Sequence, residues 1–180
     1  MDSYWVVTNK GDQECRELAD RHYSRQTPGH PLFTRPGYNM VLKYREGRKL
    51  AVWVWFRPKW ESGIKGTERK DGLRAIECAL FRNETAVLSS DLITAACVVL
   101  KSWERAWDVD WLDGAITGIN IGKTDARRSK FALPGFCYRV AGWEEFEHNK
   151  SRSADLWLRY RREWFDELWK PRWNWDGEID

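Results

Sequence analysis

The sequence contains no long apolar run. No stretch approaches the roughly 18 to 20 uncharged residues that a helix needs to cross a bilayer, and the N-terminus lacks the basic-then-apolar pattern of a signal peptide. There is also no internal repeat, low-complexity tract or Gly/Ser linker that would indicate a second domain. We therefore expect a cytoplasmic protein without membrane partners, in which residues 1–172 form one domain and residues 173–180 a C-terminal tail.

Cysteine is sparse, and its spacing argues against two structural roles. The chain has no C-x-x-C pair, and its four cysteines fall inside predicted helices or strands: Cys15, Cys78, Cys97 and Cys137. Such positions favour reduced, buried thiols over a disulfide framework or a structural zinc site. The three histidines also lack a ligand spacing such as His-x-x-x-His, so we predict no metal site.

Charge is nearly balanced over the whole chain but not locally. The net charge of +3 is too small to indicate a nucleic-acid partner by itself. Between Arg35 and Arg74, however, 11 Lys and Arg residues occur with only four Asp and Glu residues. This segment predicts either a basic face or an ordinary solvated surface.

Tryptophan is abundant, with 13 residues in a chain of 180. Tryptophan usually packs in cores, and we expect this of Trp53, Trp103 and Trp107. Exposed indole rings could instead stack on nucleobases, at roughly 1 to 3 kcal/mol per base. The candidates for such stacking are Trp53, Trp55, Trp60, Trp157, Trp164, Trp169, Trp173 and Trp175.

Hydrophobic periodicity predicts an alternation of strands and helices. Strands are predicted at residues 4–8, 73–81, 114–119 and 155–160, with a β-hairpin at residues 38–44 and 49–56 around Glu46-Gly47. A first helix is predicted to extend to Tyr23, the longest helix has an apolar stripe from Leu88 to Trp107, and shorter helices are predicted within residues 135–143 and 163–169. This order is typical of a mixed α/β domain.

The order of elements resembles the GNAT acyltransferase fold. That fold is a mixed, mostly antiparallel central sheet flanked by helices, in which a strand, a glycine-rich turn and a long helix form the acyl-donor site between two splayed central strands. The resemblance implies a donor site where the strand from Glu77 to Glu84 leads to the helix start at Ser89 and Ser90. A helix N-terminus there would present free backbone N–H groups to a phosphate or an oxyanion.

The segment Phe136-Cys137-Tyr138-Arg139-Val140-Ala141-Gly142-Trp143 resembles the late Tyr-x-x-x-Gly-Phe segment of the GNAT family. In that family the tyrosine often protonates the leaving thiolate, which makes Tyr138 the candidate general acid. A phenol suits this role because it holds a transferable proton at neutral pH. The alternative is that Tyr138 is only a packed aromatic residue.

The predicted donor loop departs from the GNAT pattern. The usual Arg/Gln-x-x-Gly-x-Gly/Ala is replaced by Arg82-Asn83-Glu84-Thr85-Ala86-Val87-Leu88-Ser89-Ser90. Glycines let the backbone approach a pyrophosphate closely, so acyl-coenzyme A is only one candidate for an unidentified acyl donor. Substrate-binding candidates in this loop are Arg82, Asn83, Ser89 and Ser90, although the serines could serve only as N-caps.

A third polar element, His22-Tyr23-Ser24-Arg25, ends the first predicted helix. His22 and Tyr23 fall on the apolar face of that helix, so both should point inward at its end. Four consecutive hydrogen-bonding groups exceed what an apolar core requires. We therefore predict a catalytic role for His22 and substrate binding by Tyr23, Ser24 and Arg25, with an ordinary core histidine as the alternative.

Two carboxylates lie near the predicted cleft. A half-buried Glu77 or Glu84 could deprotonate an amine or position a water, with Arg82 as the counter-charge. An Arg–Glu ion pair that only shapes the loop is equally compatible with the sequence. We add Thr117, on the following strand, as a candidate substrate-binding residue.

Three of these segments together resemble the Mom-type DNA-modification acyltransferases of bacteriophages, over roughly residues 15–145. They are the His-Tyr-Ser element, the Phe-Arg-Asn-Glu strand end and the segment from Pro134 to Trp143. The resemblance implies transfer of an acyl-derived group to the exocyclic amine of a DNA base, which must first leave the base stack, with DNA and an activated acyl donor as partners. The alternatives are an N-acyltransferase acting on a protein or small-molecule amine, and a non-enzymatic nucleic-acid-binding module.

Overall fold

The computed structural model describes residues 4–25, 27–58, 72–104, 113–123, 133–146 and 156–168. These residues form a mixed α/β fold in which a seven-stranded sheet is flanked by helices. The strands are β1 (Val6–Thr8), β2 (Tyr38–Glu46), β3 (Lys49–Arg57), β4 (Ile76–Asn83), β5 (Ala115–Ile119), β6 (Glu144–Glu145) and β7 (Leu156–Tyr160). The helices are α1 (Gln13–Ala19), α2 (Ser89–Ser102), α3 (Phe136–Val140) and α4 (Arg162–Leu168).

The strand order in the sheet is β1-β2-β3-β4-β5-β7-β6. Neighbouring strands are antiparallel except for β4 and β5, which run parallel. Backbone pairing between β4 and β5 covers only Ile76 with Ala115 and Glu77 with Ile116, although both strands continue beyond these residues. We call the unpaired space between the later parts of β4 and β5 the strand gap.

An irregularity in β4 coincides with the start of the strand gap. Val54 on β3 pairs with Leu80, whereas the adjacent Trp55 pairs with Cys78, so Ala79 has no counterpart on β3. An extra residue of this kind bends a strand and increases its local twist. We attribute the early end of β4–β5 pairing to this bend.

Each face of the sheet supports its own apolar layer. Side chains alternate along β3, so Trp53 and Trp55 join the layer beneath α2, α3 and α4, whereas Val52 and Val54 join the layer beneath α1. The indole N–H groups of Trp5 and Trp55 donate to main-chain carbonyls of α2, at 2.8 Å and 3.1 Å. These bonds satisfy two polar groups that burial would otherwise penalise.

The tryptophans are less available for base stacking than the sequence suggested. Trp53 is wholly buried, as predicted, but Trp55 is wholly buried as well, so neither ring can stack on a base. The prediction that Trp103 is buried is wrong: it is 40% exposed, because α2 ends at Ser102 and Trp103 lies past its last turn. Trp157 and Trp164 are half-buried. The remaining tryptophan candidates lie outside the described residues: Trp60, Trp107, Trp169, Trp173 and Trp175.

The predicted β-hairpin is confirmed, and the predicted end of the first helix is wrong. In the hairpin, Glu46 pairs with Lys49, and Gly47 adopts a positive φ of 59° in the two-residue turn. Helix α1 ends at Ala19, because the Asp20 carboxylate accepts hydrogen bonds from the Arg25 side chain at 2.6 Å and from the Gly29 N–H at 2.8 Å. These bonds fold the chain back, so the His22-Tyr23 pair lies in a turn after the helix.

Two further expectations concern cysteine and membranes. The cysteines are free thiols; three are buried and Cys137 is partly exposed, in agreement with the prediction of reduced thiols. Within the described part of the chain, no helix has both the length and the apolar character to cross a bilayer. The predicted tail at residues 173–180 lies outside the described residues.

Candidate functional site

Helix α3 packs closely against β5 and β7, next to the strand gap. Gly135 precedes this helix with a φ of 71°, a conformation that favours glycine. A Cβ atom at position 135 would lie 2.7 Å from the Cδ1 atoms of both Ile119 and Leu158. The absence of a side chain therefore allows α3 to lie directly on these strands and directs Tyr138 into the core, where it is 8% exposed.

The hydroxyl group of Tyr138 lies at the strand gap. Its oxygen is 3.4 Å from Sγ of Cys78 on β4, and Oγ1 of Thr117 on β5 donates to the Cys78 carbonyl at 3.3 Å. Burial raises the pKa of Tyr138 well above its ordinary value, helped by the nearby Cys78 and Cys137 and opposed by a hydrogen bond with Thr117. The hydroxyl group is therefore protonated at physiological pH, and it can lose that proton only to a base whose own pKa is raised by burial in the same place.

Cys78 is a poor nucleophile despite its position. Complete burial raises the pKa of its thiol to about 12, with hydrogen bonds from Tyr138 and Thr117 acting in the opposite direction. Because the thiolate is the reactive form, this thiol is inert at neutral pH. Cys78 is therefore not expected to form a covalent intermediate.

The turn after α1 reaches the same gap. Tyr23 makes a hydrogen bond with the backbone of Asn120, the residue that follows β5, and its pKa is raised by burial and by the proximity of Cys78. Its ring stacks on that of His22, with ring centroids 4.3 Å apart. Tyr23 therefore lies beside the residues of both strands that border the gap.

The hydrogen bonds of His22 identify its tautomer. Its Nδ1 accepts from the backbone N–H of Ser24 at 3.2 Å and lies 2.7 Å from the Ser24 hydroxyl. Because a backbone amide can only donate, Nδ1 carries no proton, and the neutral ring holds its proton on Nε2. Burial, together with the positive charge of Arg82, lowers the pKa of His22 to about 4. At neutral pH His22 thus offers an N–H donor, and this arrangement does not favour it as a base.

An ion-pair network fixes this turn to the end of β4. Arg21 binds both carboxylate oxygens of Glu84, at 2.8 Å and 3.2 Å, while Arg82 donates to Glu84 at 2.9 Å and to the Arg21 carbonyl at 2.8 Å. The hydrogen bond from Arg21 is the main reason that the pKa of Glu84 is lowered. Glu84 is therefore an ionised, doubly paired anchor, which corresponds to the interpretation of this carboxylate as a residue that shapes the loop.

Two predicted site residues have structural partners away from the Tyr138 hydroxyl. Arg25 pairs with Asp20 and donates to the carbonyl of His30 at 3.0 Å, so it holds the loop after α1. Glu77 forms an ion pair with Arg35, whose guanidinium lies 4.5 Å from the ring centroid of Phe56. Glu77 also belongs to the short stretch in which β4 and β5 are still paired.

The polar residues of the predicted donor loop mainly bond to one another. The amide of Asn83 donates to the Val87 carbonyl at 2.7 Å and to the Ser89 hydroxyl at 3.2 Å. The Ser90 carbonyl accepts from the Thr94 hydroxyl at 3.0 Å, a bond within α2. Neither serine caps α2, because the N-cap position is occupied by Leu88, which has no side-chain capping bond.

The site therefore gathers His22, Tyr23, Arg82, Thr117 and Tyr138. Sequence reasoning missed Cys78 and Arg21 as members of it. The sequence did contain a signal for Cys78: side chains alternate along the predicted strand, so Cys78 and Glu77 must point to opposite faces of the sheet, and only one of them can face Tyr138. Within the part of the chain that the structure describes, no group of three or more His, Cys, Asp or Glu residues converges as a metal site would. Comparison with known proteins gives no match, since no family model, no curated protein and no solved structure matches this chain.

Proposed function

We propose that this protein is an acyltransferase of GNAT-like fold that moves an acyl group from a thioester to an amine within the strand gap. The observation that carries the proposal is the Tyr138 hydroxyl, which is buried and protonated at the point where β4 and β5 stop pairing. A parallel strand pair with an opening between its later residues also agrees with a donor site between two splayed strands.

The proposed reaction is a direct attack of the amine on the thioester carbonyl. The C–N bond forms, the C–S bond breaks, and the sulfur leaves as a thiolate, which takes the proton of Tyr138 because the strand gap that raises the pKa of the phenol also desolvates the thiolate and raises its basicity. The proton lost by the amine restores the phenol through solvent, so the products are an amide and a thiol. Thr117 would orient the phenol, and the Nε2–H group of His22 would donate a hydrogen bond to an oxygen of the acceptor or of the tetrahedral intermediate.

For the acceptor we propose the exocyclic amine of a DNA base. Support comes from the convergence of the His22-Tyr23 turn, the end of β4 at Arg82 and the Tyr138 segment, which are the segments that carry the Mom-type resemblance. A base turned out of the stack would present its amine and ring nitrogens together, and a neutral N–H donor such as His22 could bind a ring nitrogen.

Mass spectrometry of nucleosides tests this function. DNA is incubated with the protein and an acyl-pantetheine thioester, and a modified nucleoside carrying one added acyl group is expected. Tyr138→Phe should lower the rate by about 10² to 10⁴, the usual contribution of a general acid. Tyr160→Phe is the matched control, because Tyr160 is also 8% exposed in the same core and should leave the rate within about twofold. A nucleoside profile that stays unmodified with this thioester and with acyl-coenzyme A would refute the proposed acceptor.

One observation favours a second acceptor class. The burial of Trp53 and Trp55 removes two of the candidate rings for stacking on a base, so a protein or small-molecule amine is the competing acceptor. The same donor is offered with a lysine-containing peptide and with a polyamine. Acylation of these amines but not of DNA would support the proposed acyltransferase activity and would show that the acceptor is a protein or small-molecule amine.

A further inference from the structure

The loop between β4 and α2 shows which part of an acyl donor this protein can hold. In a donor site that binds coenzyme A, free N–H groups of such a loop would hold the pyrophosphate. Three consecutive N–H groups here already have partners within the protein: Glu84 donates to the Leu50 carbonyl at 3.0 Å, Thr85 to Oδ1 of Asn83 at 2.8 Å, and Ala86 to Oε2 of Glu46 at 2.7 Å.

The bond from Ala86 is the most informative of the three. Glu46 is the last residue of β2, and its carboxylate extends from the hairpin to the loop. An anion that belongs to the protein therefore occupies a position where a phosphate oxygen would have to bind. A diphosphate approaching the loop would have to displace this carboxylate and would be repelled by it.

The charged side chains beside these three N–H groups offer no compensation. The two arginines beside it, Arg21 and Arg82, are already paired with Glu84. Thr85 and Val87 stand where the GNAT pattern has small residues, and the Val87 side chain is packed against the core. The N-cap residue Leu88 is 66% exposed and presents an apolar side chain at the helix start. The occupied N–H groups of residues 84–86, the Glu46 carboxylate and the paired arginines therefore do not fit the pyrophosphate of coenzyme A.

We infer that the donor is recognised through its acyl group and pantetheine arm, with no contribution from a nucleotide diphosphate. This inference rests on the proposed acyl transfer and narrows its donor. Two sources supply such an arm: a small thioester, including acyl-coenzyme A whose nucleotide stays in solvent, and an acyl group carried on the phosphopantetheine of a carrier protein.

Calorimetry with the full chain tests the inference directly. Pantetheine, phosphopantetheine and coenzyme A should bind with dissociation constants within about threefold of one another. A loop that holds the pyrophosphate would favour coenzyme A by at least about tenfold for each charge-assisted hydrogen bond, and such a preference would overturn the inference while leaving the acyltransferase intact. If none of the three binds and no thioester is turned over, the proposed function itself fails.

A substitution at Glu46 provides a second, independent test. Glu46→Ala frees the Ala86 N–H and removes the resident negative charge, so coenzyme A should bind about 5- to 20-fold more tightly while pantetheine binds as before. Glu17→Ala is the matched control, because this exposed carboxylate on α1 bonds to the Gln13 side chain and, among the described residues, to no atom of the loop between β4 and α2, so it should change neither affinity. Unchanged coenzyme A binding in Glu46→Ala would show that this carboxylate does not block the loop and would contradict the inference.

Turnover distinguishes the two sources of the arm. Acyl-pantetheine, acyl-coenzyme A and an acyl carrier protein loaded with the same acyl group are compared at equal concentration. Similar kcat/KM values for the first two would identify a small thioester as sufficient. A value at least tenfold higher for the loaded carrier would assign the donor to a carrier protein. Either outcome retains the inference, whereas a tenfold preference for acyl-coenzyme A over both others would overturn it.

Discussion

At the scale of single residues, the local hydrogen bonds of His22 decide what it can do. Two bonds from Ser24 occupy Nδ1, so the remaining nitrogen must be a donor. A histidine next to a tyrosine in the sequence suggests acid–base chemistry. Only the folded structure shows which imidazole nitrogen is already hydrogen-bonded within the protein. The same is true of Glu84, whose two arginine partners come from positions 63 and two residues away in the chain.

The lowered pKa of His22 predicts a pH dependence of stability. The pKa is about 4 in the folded protein, against an ordinary value of 6.5, so the unfolded chain binds the additional proton between these two values. The free energy of unfolding should therefore fall as the pH drops from 6.5 towards 4, with a slope of at most about 1.4 kcal/mol per pH unit from this residue, and this contribution should level off below pH 4.

Urea unfolding of the wild type and of His22→Gln measures this contribution. The variant lacks the titrating group, so the difference in unfolding free energy between the two proteins should shrink as the pH falls through this window. A difference that stays constant from pH 7 to pH 4 would contradict a depressed pKa for His22.

At the scale of secondary structure elements, the position of α3 depends on a glycine that has two separate requirements. Gly135 has a positive φ, and a Cβ atom there would overlap Ile119 and Leu158. Gly47 in the β2–β3 turn also has a positive φ, but nothing lies within 4 Å of its Cβ position. A comparison of substitutions at these two glycines therefore separates the cost of backbone strain from the cost of steric overlap.

We expect Gly135→Ala to lower the free energy of unfolding by about 2 to 4 kcal/mol and Gly47→Ala by about 1 kcal/mol. Activity in Gly135→Ala should fall further than the loss of folded protein explains, because Tyr138 follows this glycine by less than one helical turn. Denaturant titration and assays at matched folded fraction measure both effects. Equal destabilisation by the two substitutions would show that α3 does not press on the sheet.

The elements themselves were largely predictable from the sequence, and their ends were less so. The apolar and aromatic run of β3, the turn residues Glu46-Gly47 and the apolar stripe of α2 are local patterns that can be read directly from the sequence. The end of α1 could not be predicted in this way, because it depends on Asp20 meeting Arg25 and Gly29, which are five and nine residues further on. The β4 irregularity at Ala79 is likewise visible only when the register with β3 is known.

At the scale of the whole molecule, the candidate site is assembled from segments that are distant in the chain. The sequence supplied the chemically suitable residues His22, Tyr23, Arg82 and Tyr138, but it did not show that Arg25 and Glu77 form ion pairs with Asp20 and Arg35. The position of Tyr138 follows from sheet topology, since its hydroxyl group lies next to Cys78, just past the last bonded pair of β4 and β5. Long-range strand pairing of this kind leaves no local trace in the sequence.

Burial over the whole fold predicts that at least three of the four thiols are unreactive. Burial raises the pKa of Cys15 and Cys78 to about 12, and it also raises that of Cys97 and Cys137. At pH 8 the native protein should therefore react with a disulfide reagent at no more than one thiol within minutes, and that thiol should be the partly exposed Cys137. All four should react in denaturant.

Cys137→Ser identifies the reacting group in this experiment. The native variant should show no fast reaction, and its denatured form should titrate three thiols. Fast reaction of two or more thiols in the native wild type would mean that the buried cysteines are more accessible than the structure indicates.

The two-residue bonding between β4 and β5 also divides the backbone hydrogen bonding of the sheet. Strands β1 to β4 form one ribbon, and strands β5, β7 and β6 form another; the two ribbons are bonded near Ile76 and Ala115. Further along, Tyr23 bonds to the backbone of Asn120, and the Tyr138 hydroxyl lies near Cys78. Rotation of one ribbon against the other would break no strand pairing, but it would shift the apolar layer beneath α2, α3 and α4, which contains residues of both ribbons, such as Trp53 and Leu158. The width of the strand gap is therefore set by side-chain packing more than by backbone bonds.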